Sequence, residues 1–358
     1  MAAYSEDRAR KDGERGFTLI TTGVCSVAML GMLALAVDLG RMYVVKNEMQ
    51  SYTDAASLAA VLELDGTQAG ITRALNAVAA STNRWNMGAS AFSGTETDFG
   101  QAASGPWDPN PSPASDYMFA RVRASGTLSL YFLPAVAVQN SAGMSAVTVA
   151  GQVVKPGFRE GLLPFSPFAH NPTPPDFGYT PGVNYTLRWG SNPKVNVNVC
   201  PGDNSQAWVD LAEAGTSSER GYIEESSAAI IRAAIEEDYQ TRPLSVGDTV
   251  TMTGGNKQTE RDSLITRIEQ DTNPTAATYA AYESAATGNG RRLVAVAINT
   301  GYPGNVVLGF GLFFLLEPSE YDHSGNKPFC AEYVGSYVQG SRHKGAGPPG
   351  AYVIRLVQ

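Results

Sequence analysis

Between Gly16 and Val37 the chain carries no charged residue, and large apolar side chains such as Phe17, Ile20, Leu30 and Leu33 recur among small residues and hydroxyls. At ~1.5 Å rise per residue this stretch predicts a helix about 33 Å long, enough to cross a hydrocarbon core of ~30 Å. Thr18, Thr21, Thr22 and Ser26 suit such a helix because each hydroxyl bonds back to a carbonyl one turn earlier, and Gly23 and Gly31 are of a kind common in membrane helices. Beyond the span, Leu39, Met42, Tyr43, Met49, Tyr52 and Ala56 keep helical spacing with Arg41, Lys46, Glu48 and Asp54 set between them. That is the pattern of an amphipathic helix. Its small-residue stripe suits close packing against a second helix, and equally suits covering the protein's own sheet.

Arg8, Arg10, Lys11 and Arg15 precede the span, whereas Arg41 and Lys46 follow it. The positive-inside rule therefore predicts a cytoplasmic amino terminus, with everything after Asp38 outside. A cleavable signal peptide is a second reading of the same stretch, since Ala34-Leu35-Ala36 has the small-x-small form a signal peptidase reads. Against it, the apolar stretch exceeds the ~7–15 residues usual for a signal and runs without a breaker into the next helical pattern. Both readings put the bulk of the chain outside the cytoplasm.

Three elements at the start of the chain resemble a known family: Glu14-Arg15-Gly16-Phe17 before the span, Val37-Asp38-Leu39-Gly40-Arg41-Met42-Tyr43 at its end, and Gln50-Ser51-Tyr52-Thr53-Asp54-Ala55-Ala56-Ser57-Leu58-Ala59-Ala60 beyond. Together they look like the amino-terminal Tad domain of TadE/TadG-like tight-adherence (Flp) pilus-assembly proteins. Ala120–Arg123, Tyr131–Pro134 and Ser145–Ala150 have the look of the strands that close this domain in the family, as does the closing Val353–Val357. The resemblance implies a bacterial envelope protein that serves pilus biogenesis or adhesion without catalysing a reaction. Gly16-Phe17-Thr18-Leu19-Ile20 resembles a prepilin processing site, but Thr21 stands where a prepilin carries glutamate, which favours a retained anchor. The D-x-S-x-S metal site of larger relatives does not occur in this sequence.

Further along, Pro106, Pro109, Pro111 and Pro113 read residues 93–115 as an exposed loop. Seven prolines over residues 155–182 mark a connector, and Phe165, Phe168, Phe177 and Tyr179 within it imply that it lies on a surface. A helix is expected over residues 224–239, with Ala228, Ile231, Ile235 and Tyr239 on one face. Strands are expected at Asp248–Thr253, Arg292–Asn299, Val306–Glu317, Ala331–Gln339 and Ala351–Val357. The fold class is α+β: a cytoplasmic tail (1–16), a transmembrane helix (17–37), a small Tad-like domain (38–154), a Pro-rich connector (155–182) and a β-rich extracytoplasmic domain (183–358).

Composition narrows the chemistry. The 26 Lys+Arg against 34 Asp+Glu leave a net charge of −8, which repels polyphosphate and argues against a nucleic-acid partner. With 37 Gly and 21 Pro the chain suits a loop-rich β protein. His170, His323 and His343 lack metal-ligand spacing, Gly288-Asn289-Gly290-Arg291-Arg292 reads as a turn before a strand, and no cofactor or catalytic residue is assigned. Cys25 lies in the span; Cys200 and Cys330 lie where an oxidising compartment allows either a disulfide or two buried thiols. The residues singled out are interaction residues: Gly31 and Ala34 in the span, Asp38 and Arg41 at its border, and Gln50 and Asp54 beyond. The expected partners are the membrane, pilus-assembly or pilin-like proteins, and a second copy through the N-terminal helix. An anchored hydrolase with a site in residues 183–358 is one alternative; a glycan- or peptide-binding module displaying Tyr179, Tyr185, Trp189 and Trp208 is another.

Overall fold

The computed structural model describes residues 2–85, 88, 90–92, 94–135, 139–190, 198–204, 219–225, 227–254, 258–323 and 327–357. The chain divides into two compact units: Met1–Ala56 with Ser81–Thr97 and Val122–Thr148, and Ser57–Ala80 with Asp98–Arg121 and Val149–Gln358. One helix, α1 (Ala2–Leu62), contains both the predicted span and the amphipathic continuation, with no break between them. A shorter helix follows, α2 (Gln68–Ala80), and then the strands β1 (Arg84–Trp85), β2 (Ser90–Ala91), β3 (Gly94–Gly100), β4 (Trp107–Asp108), β5 (Phe119–Ser129) and β6 (Ser141–Val154). The remainder alternates β7 (Gly157–Phe158), β8 (Asn184–Arg188), β9 (Glu219–Ile223), α3 (Ala228–Glu237), β10 (Leu244–Ser245), β11 (Met252–Gly254), α4 (Gln258–Glu269) and α5 (Tyr279–Ala285). It closes with β12 (Leu293–Asn299), β13 (Val307–Leu315), β14 (Phe329–Gly335), β15 (Tyr337–Val338) and β16 (Ala351–Leu356). The molecule is α+β.

Two sheets organise these strands. The larger has the order β15-β16-β6-β5-β3-β4, and β3, β5 and β6 each contribute a stretch to both units. The closing strand β16 runs antiparallel to β6, Val353 opposite Val153. The second sheet, β12-β13-β14-β8, belongs to the second unit and is antiparallel throughout. Every residue of β12 is buried, because Val294, Val296 and Ile298 face one apolar cluster while Ala295 and Ala297 face another. The apolar run expected to be a central strand is β13, flanked by β12 and β14. Gly309 inside it lies under the Phe177 ring: a Cβ there would meet Phe177 Cε2 at 2.6 Å, so glycine serves a close approach of ring to backbone.

Several expectations are corrected. Residues 93–115 contain β3 and β4 and are not wholly loop. The rings of residues 155–182 are packed against protein as expected, but more deeply than on a surface: Leu163, Phe165, Phe177 and Tyr179 belong to the main core cluster of the second unit, while residues 170–175 are exposed. Tyr131–Pro134 is not a strand but a bend leading into a 3-10 turn at Leu133–Ala135. The helix expected at 224–239 starts after its N-cap Ser227, whose side chain accepts from the Ile230 N–H, and ends at Asp238 in a left-handed conformation with φ 59°. Helix α1 also ends on a side chain: Gln152 Nε2 donates to the Val61 and Leu64 carbonyls at 3.1 and 2.8 Å, filling acceptors that a helix terminus leaves open.

Candidate functional site

The residues singled out from the sequence lie along α1 within the first unit. Around the span, Leu19 is 78% exposed and Met32 71%, as a helix surrounded by lipid would be. Its hydroxyls bond inward as anticipated: Thr21 Oγ1 donates to the Phe17 carbonyl at 2.9 Å, Thr22 Oγ1 to that of Thr18 at 2.8 Å, and Ser26 Oγ to that of Thr22 at 2.8 Å. Gly31 and Ala34 line a groove of about 380 Å³ together with Val27, Leu30, Val37 and Phe132.

At the end of the span Asp38 is buried to 1% exposure. Its carboxylate accepts three successive backbone N–H groups: Tyr131 on Oδ1 at 3.0 Å, and Phe132 and Leu133 on Oδ2 at 2.9 and 2.7 Å. Burial alone would raise the Asp38 pKa, but these three donors and the nearby Arg41 outweigh it and hold the carboxyl below its ordinary value. Arg41 lies 3.8 Å from Asp38, donates to the Ser129 carbonyl at 2.9 Å, and stacks its guanidinium 3.7 Å over the Tyr131 ring. One helical turn of sequence thus fixes the bend between β5 and β6.

A second polar knot lies three to four turns further on. Gln50 Nε2 donates to Asp54 Oδ1 and to Thr148 Oγ1, both at 2.8 Å, and Thr148 Oγ1 donates to Asp54 Oδ1 at 2.6 Å. Thr53 Oγ1 lies 2.8 Å from Thr148 Oγ1 and donates to the Gln50 carbonyl at 3.1 Å. Thr53 and Thr148 are fully enclosed. Asp38, Arg41, Gln50 and Asp54 therefore bond to the chain's own backbone and to Thr148, and Val45, Met49, Tyr52 and Ala56 are buried on the same unit. Of the two readings of the small-residue stripe, the one in which it covers the protein's own sheet describes these contacts.

Residues 16–69 match the Tad family model, described as TadE/G-like Flp pilus assembly. The similarity is to a Tad domain and is confined to α1 and the start of α2. No curated protein and no solved structure matches the chain. The Tad match supports involvement in Flp pilus assembly and, with the apolar helix, a membrane-anchored protein. It also gives physical content to the resembling elements: the Val37–Tyr43 element binds the bend at Tyr131–Leu133, and the Gln50–Ala60 element binds Thr148.

Where the matched Tad segment ends, the second unit holds a charged cluster that no sequence spacing announced. Arg73 Nη2 reaches Asp65 Oδ2 at 2.5 Å and Arg73 Nε lies 3.3 Å from Glu63, while His343 sits 3.4 Å from both Glu63 and Glu283. Burial by itself would lower the His343 pKa; Glu283 and Glu63 raise it to about 9. His343 and then Arg73 hold the Glu63 carboxyl below its usual range. Asp65, Glu283 and His343 offer ligand atoms within 4.8 Å of one another. Arg73 already donates to Asp65, and Arg73 together with His343 offsets two of the three carboxylate charges in the cluster.

The remaining sequence candidates are placed as follows. Cys200 and Cys330 form a disulfide with Cα atoms 5.7 Å apart. Tyr179, Tyr185 and Trp189 are buried, which contradicts their display as exposed rings for a glycan; Trp208 lies outside the described residues. Arg291 donates to Asp238 at 2.7 Å and Arg292 to the carbonyls of Leu315, Asn273 and Ala276, so the Gly288–Arg292 stretch is a turn whose cations are internally bonded. A polar cleft of about 520 Å³ includes Glu237, Asp238, Arg267, Arg291 and Arg342, but Asp238 is paired with both Arg267 and Arg291 at 2.7 Å.

Two measurements check these assignments. Replacing Thr148 by Val leaves Gln50, Thr53 and Asp54 facing a methyl group and is expected to cost ~1–3 kcal/mol in denaturant unfolding of the full chain. A loss within experimental error would show that the knot contributes nothing. For His343, whose folded pKa is raised, the ion pairs contribute fully below pH ~6.5 and are lost as pH rises through about 9. Unfolding midpoints should accordingly fall across that window, by the equivalent of ~3–4 kcal/mol at ~1.4 kcal/mol per pKa unit, and His343→Gln should flatten the fall. An equal fall in wild type and variant would remove His343 from the account.

Proposed function

We propose that this protein is a non-catalytic, minor pilin-like component of Tad/Flp pilus biogenesis or adhesion, held in the cell membrane by a single pass with its amino terminus in the cytoplasm. The observation that carries the reading is the unbroken passage of an exposed apolar helix, Phe17 to Val37, into a continuation with one face buried, within the segment similar to a Tad domain. Such a helix transfers its apolar surface to lipid while its continuation is locked into folded protein, which fixes the distance of that protein from the bilayer. The basic residues ahead of the span support the inward amino terminus, and the Cys200–Cys330 disulfide suits an oxidising compartment outside the cytoplasm. Asp38, Arg41, Gln50 and Asp54 bond to backbone and side-chain groups of the same chain, which supports a positioning role. Contact with pilus-assembly proteins, or with a second copy, falls to the lipid-facing surface of the span and to the surface of the second unit. The domain plan supporting this reading is a tail at 1–16, a span at 17–37 and an extracytoplasmic remainder.

In spheroplasts, added protease is expected to digest the chain down to a short amino-terminal fragment, and deletion of the gene is expected to abolish surface pili or adhesion, restored by the intact gene in trans. Full protection of the chain would overturn the orientation; unchanged piliation and adhesion would overturn the role.

A further inference from the structure

The bend between β5 and β6 presents two large rings to the outside at the level where the span ends. Tyr131 is 65% exposed and Phe132 47%, although each has its backbone N–H tied to Asp38. Phe132 also lines the groove whose other walls are Val27, Leu30, Leu33, Ala34 and Val37. Val27 to Val37 covers ~15 Å of helix at ~1.5 Å per residue, all within the stretch that crosses the bilayer. A side chain that shares a groove with those residues sits at their depth.

Backbone polar groups ordinarily bar an irregular bend from that depth, because a donor without a partner in hydrocarbon costs several kcal/mol. Here the three donors that face the helix are all accepted by one carboxylate, and the Leu130 N–H is accepted by the Asn140 carbonyl at 3.0 Å. Arg41, next to Asp38, covers the inner side of the Tyr131 ring with its guanidinium and sends a donor to Ser129, so its charge stays at the border. The ring of Tyr131 has an apolar body and a polar tip, the form enriched where membrane meets water.

We propose that this bend is a second membrane contact: Phe132 inserts among the acyl chains of the same bilayer that the helix spans, and Tyr131 lies at the headgroup boundary. The occupant of the groove beside Gly31 and Ala34 is then lipid, and the Asp38 carboxylate is what makes the insertion affordable for the backbone. The contact rests on reading Phe17–Val37 as a membrane span. It goes beyond that reading in giving the first unit a second point of contact beside the span, which constrains its tilt as well as its height.

Spin-label accessibility in the full chain, reconstituted into phosphatidylcholine/phosphatidylglycerol vesicles, tests this directly. On a Cys25→Ala background with the Cys200–Cys330 disulfide intact, a label is placed at Phe132→Cys, Tyr131→Cys or Leu30→Cys, the last reporting the span itself. The expected result is an oxygen-to-nickel collision ratio at position 132 several-fold above that of a water-exposed site and approaching that at 30, with position 131 between water and lipid. A lipid-like label at 30 with a water-like label at 132 overturns the proposal and leaves the span intact. Water-like labels at both positions overturn the span and the proposal together. Adding Asp38→Ala to the Phe132→Cys chain should return the label at 132 toward the aqueous value; no change there would show that Asp38 does not hold the bend in lipid.

Discussion

A chain that leaves a long helix and later returns beside it has an accounting problem in hydrogen bonds. The turn that brings it back exposes successive N–H groups, and the nearest helix offers none of its own carbonyls, which are already bonded along its axis. In this protein a single carboxylate resolves the problem. Asp38 is acceptor-only when ionised, has lone pairs for several donors, and takes the N–H groups of Tyr131, Phe132 and Leu133. The donors in turn keep it ionised, so acceptor and donors stabilise one another. Arg41, one turn along, supplies the counter-charge and a second tie to the backbone at Ser129.

The same device recurs deeper in each unit: a polar side chain held in a fixed place satisfies several groups from a distant part of the chain. Thr148 is the centre of a knot with Gln50, Thr53 and Asp54 in the first unit. In the second, Gln152 accepts from the Ala346 N–H while donating to the end of α1, and Arg292 donates to three carbonyls with its guanidinium 4.1 Å from the Phe314 ring. Buried polar groups of this kind contribute little net free energy when satisfied and cost much when a partner is removed, so they specify one arrangement more than they stabilise it.

Apolar patterning disclosed the long exposed helix, its amphipathic continuation and the buried strands β12 and β13, because these elements carry long runs or faces of apolar residues with few charges among them. It failed where charge replaced apolar contact. Strand β3 reads as loop since its cross-strand partners are ion pairs, Asp98 with Arg121 at 2.7 Å and Glu96 with Arg123 at 2.8 Å. Helix α4 went unseen because its buried face mixes Leu264 and Ile268 with Glu260, Ser263 and Arg267. The rings at Tyr179, Tyr185 and Trp189 looked like display and proved to be core, a distinction that composition does not make. Asp38, Arg41, Gln50 and Asp54 were legible as special residues, yet their partners lie about ninety residues away, and the Glu63–His343 pairing spans a still longer separation that leaves no local spacing to read.

Amide hydrogen exchange at Tyr131, Phe132 and Leu133, measured in the full chain in lipid discs with and without Asp38→Ala, tests the central interaction most directly. The account predicts strong protection of all three amides in the wild type and its simultaneous loss in the variant, with the amides of β12 unchanged. Protection that survives removal of the carboxylate, or that is lacking in the wild type, would contradict it.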